Sequence, residues 1–392
     1  MPSITKLAGR IAKSPTIAMN DKAKQLAAEG HSVIGLAGGE PDFDTPAHII
    51  EAGMKAIRAG QTRYAAPSKG IVPLLEAIAA KTERDNQVRV DPMSDIIVTP
   101  GGKLALFLAL KAMLDPGDEV LIPAPYWVSY PSIVTMVGGK PVTVPTSSDD
   151  GYRLRLEDLR EFVTSKTKAI IINSPCNPTG HMLSSDEIED IATLATEADL
   201  YVISDEIYEK LNFDGRPAVS LASLPDISDR VVIVNGMSKA YAMTGWRLGW
   251  LAGPTEVIGA AGKFNSQTAT SAATFTQYAA VAALNGPQDC VEMMRQSYQE
   301  RRDFMVNAFN DIENMSCPDI EGAFYAFPKV DNTNKSSEEI ASLILEKAVV
   351  VGVPGSAFGI SKDAHIRFSF AEDLNLLKEA VERIRGIADQ LA

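Results

Sequence analysis

Short apolar runs rich in β-branched residues recur along most of the chain, and they constrain its fold more than any other feature. They read Ile96-Ile97-Val98, Val120-Leu121-Ile122, Ala169 to Ile172, Tyr201-Val202-Ile203, Val231 to Val234 and Trp250-Leu251. The commonest spacing is about 25 to 30 residues, room for one helix and two loops. That is the rhythm of a mostly parallel sheet with crossover helices. The runs do not alternate apolar with polar residues, so both faces of each strand are expected to be covered.

The intervening helices have readable starts. Ser184 and Glu187 form a capping-box pattern ahead of IEDIATLATEA. LALFLALKAML, after Gly101-Gly102, is apolar nearly all round and predicts a buried helix. Past about residue 285 the character changes. A charged helix over 288–310 leads to the strand EGAFYAFPKV. Ser336 and Glu339 cap ASLILEKA, two strands follow (VVVGVPG and HIRFSFA), and one helix with an apolar stripe runs from Leu374 to Leu391. This mixture predicts a smaller α+β unit. The first 45 residues have no strand rhythm and are expected to wrap onto it.

Composition excludes several function classes. At 392 residues, with 45% hydrophobic and 22% charged side chains, the chain can bury a sizeable core and is not disordered. A net charge of −13 argues against general nucleic-acid binding, while leaving room for a locally basic pocket. Cys176, Cys290 and Cys317 are scattered and form no CxxC pair. The four histidines are equally dispersed, so neither a disulfide framework nor a metal site is expected. No apolar run approaches about 18 residues, the length of a membrane span. The N-terminal segment lacks the apolar core of a secretory signal, and the cytoplasm is the expected compartment.

Phosphate-loop, dinucleotide and hydrolase motifs are missing. The informative segment is VVIVNGMSKAYAMTGWRLGW. A buried strand ends in a small-residue turn, Lys239 follows, and Arg247 lies eight residues on. Ligands of open α/β sheets sit at the carboxyl ends of strands, and a lysine desolvated there becomes a nucleophile. Other strand ends agree. Asp205 follows LYVIS, Asn177 follows KAIIINSPC, Trp127 follows VLIPAPY, and Gly101-Gly102 joins a strand to a helix start. Taken singly these are a turn residue, a turn, a core aromatic and a common dipeptide. Together they make a phosphate cradle, a flat-ring cover, an amide, a carboxylate, a lysine and an arginine. Pyridoxal 5'-phosphate needs each of them.

GMSKAYAMTGWRLG resembles the lysine signature of class I pyridoxal-phosphate aminotransferases. GGEPDFDTP, TRYAAPSKG, PYWVSYP, NSPCNPTG, SDEIYEKL and HIRFSFA are similar to that family's other blocks, in order, from about Thr16 to Phe370. The subgroup is similar to bacterial and archaeal aspartate aminotransferases, some of which also use prephenate or aromatic substrates. The resemblance implies an α/β, fold-type I architecture with a mostly parallel seven-stranded sheet in a large domain, residues 46–285. A small α+β domain would be built from residues 1–45 and 286–392.

It also implies roles. Lys239 binds the cofactor aldehyde and shuttles the proton. Asp205 keeps the pyridine nitrogen protonated, Tyr208 and Asn177 bond the phenolic oxygen, and Trp127 stacks on the ring. Gly101, Gly102, Ser238 and Arg247 hold the phosphate, and Lys103 is a further cofactor-binding residue. Tyr64 reaches the site of a neighbouring subunit, which implies a homodimer. Arg367 clamps the substrate α-carboxylate beside Gly39, with Asn177 and Trp127 alongside. Lys103 and Thr16 serve the distal carboxylate. The activity implied is transfer of the amino group of L-aspartate to 2-oxoglutarate. Aromatic, prephenate or neutral substrates are the alternative, and a lyase on the same fold is a further one. The N-terminal arm reads Arg10-Ile11-Ala12-Lys13, whereas prephenate-active members look like R-V-K-P. Ala12 stands where their lysine would be.

Overall fold

The computed structural model describes residues 4–11, 15–360 and 364–391, apart from the side chains of residues 15–18 and 20. Helix α1 (Pro15–Ala28) leads to the two-residue strand β1 (Ile34–Gly35), and α2 (Ala47–Arg58) and α3 (Val72–Asn86) follow. The chain then runs β2 (Ile96–Thr99), α4 (Gly102–Met113), β3 (Glu119–Ala124), α5 (Tyr130–Val137), β4 (Lys140–Pro145), α6 (Leu156–Arg160), β5 (Thr167–Asn173) and α7 (Ser185–Glu197). Strands β6 (Tyr201–Asp205), β7 (Val231–Gly236) and β8 (Gly249–Ala252) complete one sheet of seven, in the order β2-β8-β7-β6-β5-β3-β4. Only β8 runs against its neighbours.

The unbroken apolar runs have the cause expected of them. Successive side chains of one strand point to opposite faces, and here each face meets its own core. Val98, Ile170, Ile172, Val202 and Ile233 pack on one side, and Ile97, Val120, Ile122, Ile203 and Val234 on the other. The predicted capping box at Ser184 and Glu187 forms, with Glu187 N donating to Ser184 Oγ and Ser184 N to Glu187 Oε2. The one at Ser336 and Glu339 forms as well.

Several details depart from the sequence reading. The strands predicted at EGAFYAFPKV and VVVGVPG are each split in two, into Tyr325–Ala326 and Lys329–Val330, and into Val350–Val351 and Val353–Pro354. Strand β4 was not legible, because KPVTVP has a proline near each end and lies on a half-exposed edge. The crossover from β6 to β7 spans helix-length sequence, yet residues 206–230 hold turns and one short 3-10 segment (Leu221–Ser223) instead of an α-helix. The N-terminal segment does contain a strand, since β1 pairs in parallel with residues 350–351. The last helix divides at Gly386, giving Leu374–Arg385 and Ala388–Leu391.

After α8 (Thr255–Thr268) and α9 (Thr274–Asn285), the long α10 (Asp289–Asn310) packs on a second, five-stranded sheet. Its members are β9 (Met315–Ser316), β10 (Tyr325–Ala326), β11 (Lys329–Val330), β13 (Val353–Pro354) and β14 (Ala364–Ser369), while β12 (Val350–Val351) pairs with β1. A separate core carries Leu36, Met305, Phe309, Phe324, Ile366 and Phe368. Both chain ends therefore contribute to this second body of structure. No described helix is long and apolar enough to cross a membrane.

Candidate active site

Strands β2, β3, β5, β6 and β7 are mutually parallel, so their carboxyl ends share one edge of the sheet. Each delivers a polar group there. β6 ends at Asp205, β7 runs through Gly236 to Ser238 and Lys239, and β5 feeds the turn that holds Asn177. β2 leads through Gly101 to the first turn of α4, and β3 leads to Trp127. The second sheet faces this edge with Tyr325 and Arg367, and the segment after β1 adds Gly39 and Glu40. Together they line a cavity of about 400 Å³. Two wider clefts elsewhere, of about 720 and 660 Å³, contain none of the predicted site residues.

Lys239 is a buried cation of the site. Its ammonium donates to the Gly39 carbonyl. Burial and then Arg367 bring its pKa down to about 8, with Glu40 and Asp205 opposing and Arg247 assisting. Asp205 moves the other way. Burial pushes its carboxyl up to about 6, against the Tyr130 hydroxyl, which donates to Oδ2 at 2.7 Å. The Ile207 amide reaches Oδ1 at a long 3.4 Å. Asp205 is thus a buried carboxylate held by one short and one long hydrogen bond. Tyr208 and Tyr325 share a hydroxyl–hydroxyl bond of 2.9 Å, and burial holds the Tyr208 hydroxyl in its protonated form.

Arg367 is buried between two rings, 4.4 Å from the Tyr325 centroid and 4.9 Å from that of Phe358. Its Nη1 donates to Asn177 Oδ1 at 2.9 Å and its Nη2 to the Ala37 carbonyl at 2.7 Å. Its Nε is buried with no partner among the described residues. Asn177 is fixed from behind by its own amide, which donates to Asn173 Oδ1 at 2.8 Å.

Gly101 has φ +86° and caps α4, a conformation that favours glycine. A Cβ there would run into the Arg247 guanidinium. Across the turn, a Cβ on Gly249 would stand 2.7 Å from the Gly101 carbonyl carbon. Bare backbone, the amides of a helix start and a guanidinium thus form one cradle with the donor set of a phosphate site. Lys103 stands at the mouth, its ammonium 4.9 Å over the Trp127 ring. Partial desolvation and then Arg247 keep it below the ordinary lysine value.

The cavity is lined by four cationic side chains (Lys103, Lys239, Arg247, Arg367) and two carboxylates (Glu40, Asp205). In a chain of net charge −13 it is a local basic island suited to anions. The cradle, the desolvated carboxylate of Asp205 and the desolvated Lys239 fit the phosphate, ring nitrogen and aldehyde of pyridoxal phosphate. A match to the family model "Aminotransferase class I and II" over residues 31–384 decides the assignment.

The chain belongs to the class I and II aminotransferases. Its relatives agree along the whole length. It is 42% identical to the aspartate aminotransferase of Bacillus subtilis, over 98% of this chain and 99% of that one. It is 43% identical to the aspartate/prephenate aminotransferase of Nitrosomonas europaea, over 96% and 97%. The solved aspartate aminotransferase of Thermus thermophilus with maleate superposes with a TM-score of 0.93 at 40% identity, over 99% and 100%. This aminotransferase therefore depends on pyridoxal phosphate, as its family does.

Most of the residues singled out in the sequence meet in this cavity: Gly39, Gly102, Lys103, Trp127, Asn177, Asp205, Tyr208, Ser238, Lys239, Arg247 and Arg367. Gly101 adjoins it. Tyr64 does not, being 83% exposed on the surface of this chain. The side chain of Thr16 and the residues Ala12 and Lys13 lie outside the described residues. Sequence reasoning missed Tyr130, Asn173, Tyr325 and Glu40. Tyr130 lies within PYWVSYP, three residues after Trp127, and Glu40 follows Gly39 in GGEPDF, so both stood near recognised residues. Nothing local marked Tyr325, whose partners come from distant strands.

Proposed function

We propose that this aminotransferase moves the amino group of L-aspartate to 2-oxoglutarate, working as a cytoplasmic homodimer. One observation carries the reading: a desolvated lysine, a buried carboxylate and an arginine held for a carboxylate share one basic cavity. The names of the relatives support aspartate as the donor, and maleate in the Thermus thermophilus structure is itself a dicarboxylate. Three unpaired cysteines accord with a reducing compartment.

Gly101, Gly102, Ser238 and Arg247 would hold the cofactor phosphate, with Lys103 a further cofactor-binding residue. Trp127 would cover the ring, and Asp205 would accept a hydrogen bond from its nitrogen and keep that nitrogen protonated. Asn177 and Tyr208 would donate to the phenolic oxygen. When bound, pyridoxal phosphate supplies an aldehyde for the amino group and a ring that takes up the electron pair from Cα. The protein supplies the rest. Arg367 orients the substrate by its α-carboxylate, offering a planar fork whose Nε has no other partner, with Gly39 alongside. Lys239, with a pKa of about 8, is partly a free base near neutrality. It would take the proton from Cα and deliver it to the cofactor's aldehyde carbon, on the far side of the nitrogen. Lys103 would meet the distal carboxylate as a point charge, helped by Thr16. Tyr64, exposed on its own chain, would complete the phosphate site of a second subunit. The chain would divide into a large unit, 46–285, and a small one from its two ends, with the cavity between.

The test is product analysis with L-aspartate and 2-oxoglutarate. Formation of glutamate supports the reading, and release of ammonia would assign a lyase instead. A relative named for prephenate favours that oxo acid as a second acceptor, and the same assay with prephenate in place of 2-oxoglutarate measures it.

A further inference from the structure

A cluster of buried charged and amide side chains lies beside the strand ends, and no step of the reaction uses it. Lys81 on α3 donates to Glu209 and, at 2.7 Å, to Asn86 Oδ1. Asn86 Nδ2 donates to Glu209 Oε2 at 2.6 Å, and Asn235 Nδ2 donates to Glu209 Oε1 at 2.8 Å. All four residues are buried. Burial pushes the Glu209 carboxyl up, but Lys81 and Asn86 outweigh it and keep it ionised, with Lys210 adding to them. Glu206 is a second buried carboxylate nearby, held by Ser204 and Ser220.

Stability alone does not explain such a cluster. Taking both ions out of water costs about as much as their attraction returns, and an apolar pair of equal volume is often as stable. What the ions add is direction, and the direction joins two segments. Glu209 closes the turn that starts at Asp205 and carries Tyr208. Its amide donates to the Glu206 carbonyl at 3.0 Å, and its carbonyl accepts from Asn212 Nδ2 at 2.7 Å. Asn235 lies at the end of β7, four residues before Lys239, and its Oδ1 accepts from the Gly236 amide at 2.7 Å. The two segments also touch. A Cβ on Gly236 would stand 2.9 Å from the Leu248 carbonyl oxygen and 3.3 Å from Ile207 Cδ1. A shift at Asn235 is passed along the chain, because packing this close does not absorb it.

We propose that Glu209, paired with Lys81, is a positioning residue: through Asn235 it fixes the loop that carries Lys239 against the turn that carries Asp205 and Tyr208. The inference rests on the reading of Lys239 as the reactive amine. That amine faces Asp205 and Tyr208 on one turn, Glu40 on the N-terminal segment, and Tyr325 and Arg367 on the second sheet. Lys103 and Arg247 line the same cavity. The proton affinity of Lys239 therefore reports its place among them.

The test labels Lys239 with a small acylating reagent in the cofactor-free protein, as a function of pH, read by mass spectrometry. Alongside it, kcat and KM of the loaded enzyme are measured. Asn235→Ala keeps the ion pair and cuts its link to the loop. Lys81→Met/Glu209→Leu replaces the pair by apolar side chains of similar volume. In wild type the labelling midpoint is expected near pH 8. In both variants it should move by about one pH unit or more, and kcat should fall at least about tenfold with KM within about threefold. The double variant leaves the buried Asn86 and Asn235 amides without these partners and should melt below wild type, so the labelling midpoint and kcat carry the test. An unmoved midpoint with unchanged kcat in either folded variant overturns the proposal, as does a lower melting temperature with nothing else changed. Should Asn235→Ala not fold, the double variant decides alone. A wild-type Lys239 with no midpoint near pH 8 removes the reading of Lys239 itself, a distinguishable failure.

Discussion

The proton on Lys239 is the smallest unit on which the function turns. Burial, and then Arg367 in the same cavity, bring the pKa of the amine down to about 8 from the ordinary 10.5, so it can serve as a base in neutral solution. Lys239→Ala should still bind pyridoxal phosphate through the Gly101–Arg247 cradle. Its turnover should fall by roughly 10³-fold or more, measured by single-turnover kinetics, and near-normal turnover would remove Lys239 from its role. Lys103 sits at the other end of the charge argument. If it meets the distal carboxylate, Lys103→Ala should lower kcat/KM for aspartate by about 10- to 100-fold, the worth of a charged hydrogen bond. An aromatic donor should change by less than about threefold. Equal losses for both substrates would show that Lys103 does not read that carboxylate.

At the scale of elements, the loop between β5 and α7 carries Asn177 and is held down by His181. The His181 ring lies 2.9 Å from Glu187 Oε1 and 3.3 Å from Glu321 Oε2. Burial alone would lower its pKa, yet these two carboxylates raise it to about 9. Glu187 is held down at about 2 by His181 and by its amide partners at Ser184 and Leu154, against its own burial. The signs follow. The histidine contributes full stability below pH 6.5, and that contribution is lost as pH rises through about 9. The glutamate contributes above pH 4.5 and loses it as pH falls through about 2. The difference between the wild-type and His181→Gln melting curves should therefore decline between pH 6 and 9.5, by on the order of 1–3 kcal/mol. Parallel curves would contradict this assignment. Much at this scale was legible in the sequence. Unbroken apolar runs marked the central strands, and Ser184 with Glu187 marked a helix start, because both signals are local. Strand β4 was not, since its prolines argue against a strand unless its edge position is known. Tyr130 on Asp205, Tyr325 on Tyr208 and Glu209 under Asn235 were not legible either. Each joins residues tens of positions apart, which only the fold brings together.

For the molecule as a whole, a chain of strongly negative net charge builds a basic cavity between its two sheets and leaves Tyr64 exposed outside it. If two copies share their sites through Tyr64, mixing Lys239→Ala with Tyr64→Ala chains gives mixed dimers with one intact site each. Reassembly of the two variants should then restore up to about one quarter of wild-type activity, above either variant alone. No gain on mixing would place each site within one chain. The central claim, that this cavity transfers amino groups from aspartate through pyridoxal phosphate on Lys239, is tested most directly by an absorption spectrum. The purified protein loaded with cofactor is measured before and after L-aspartate, and again after 2-oxoglutarate. The expected result is a visible band that collapses with aspartate and returns with the oxo acid. A band that ignores aspartate but answers to an aromatic or neutral amino acid would contradict the substrate, and no band after adding pyridoxal phosphate would contradict the role of Lys239.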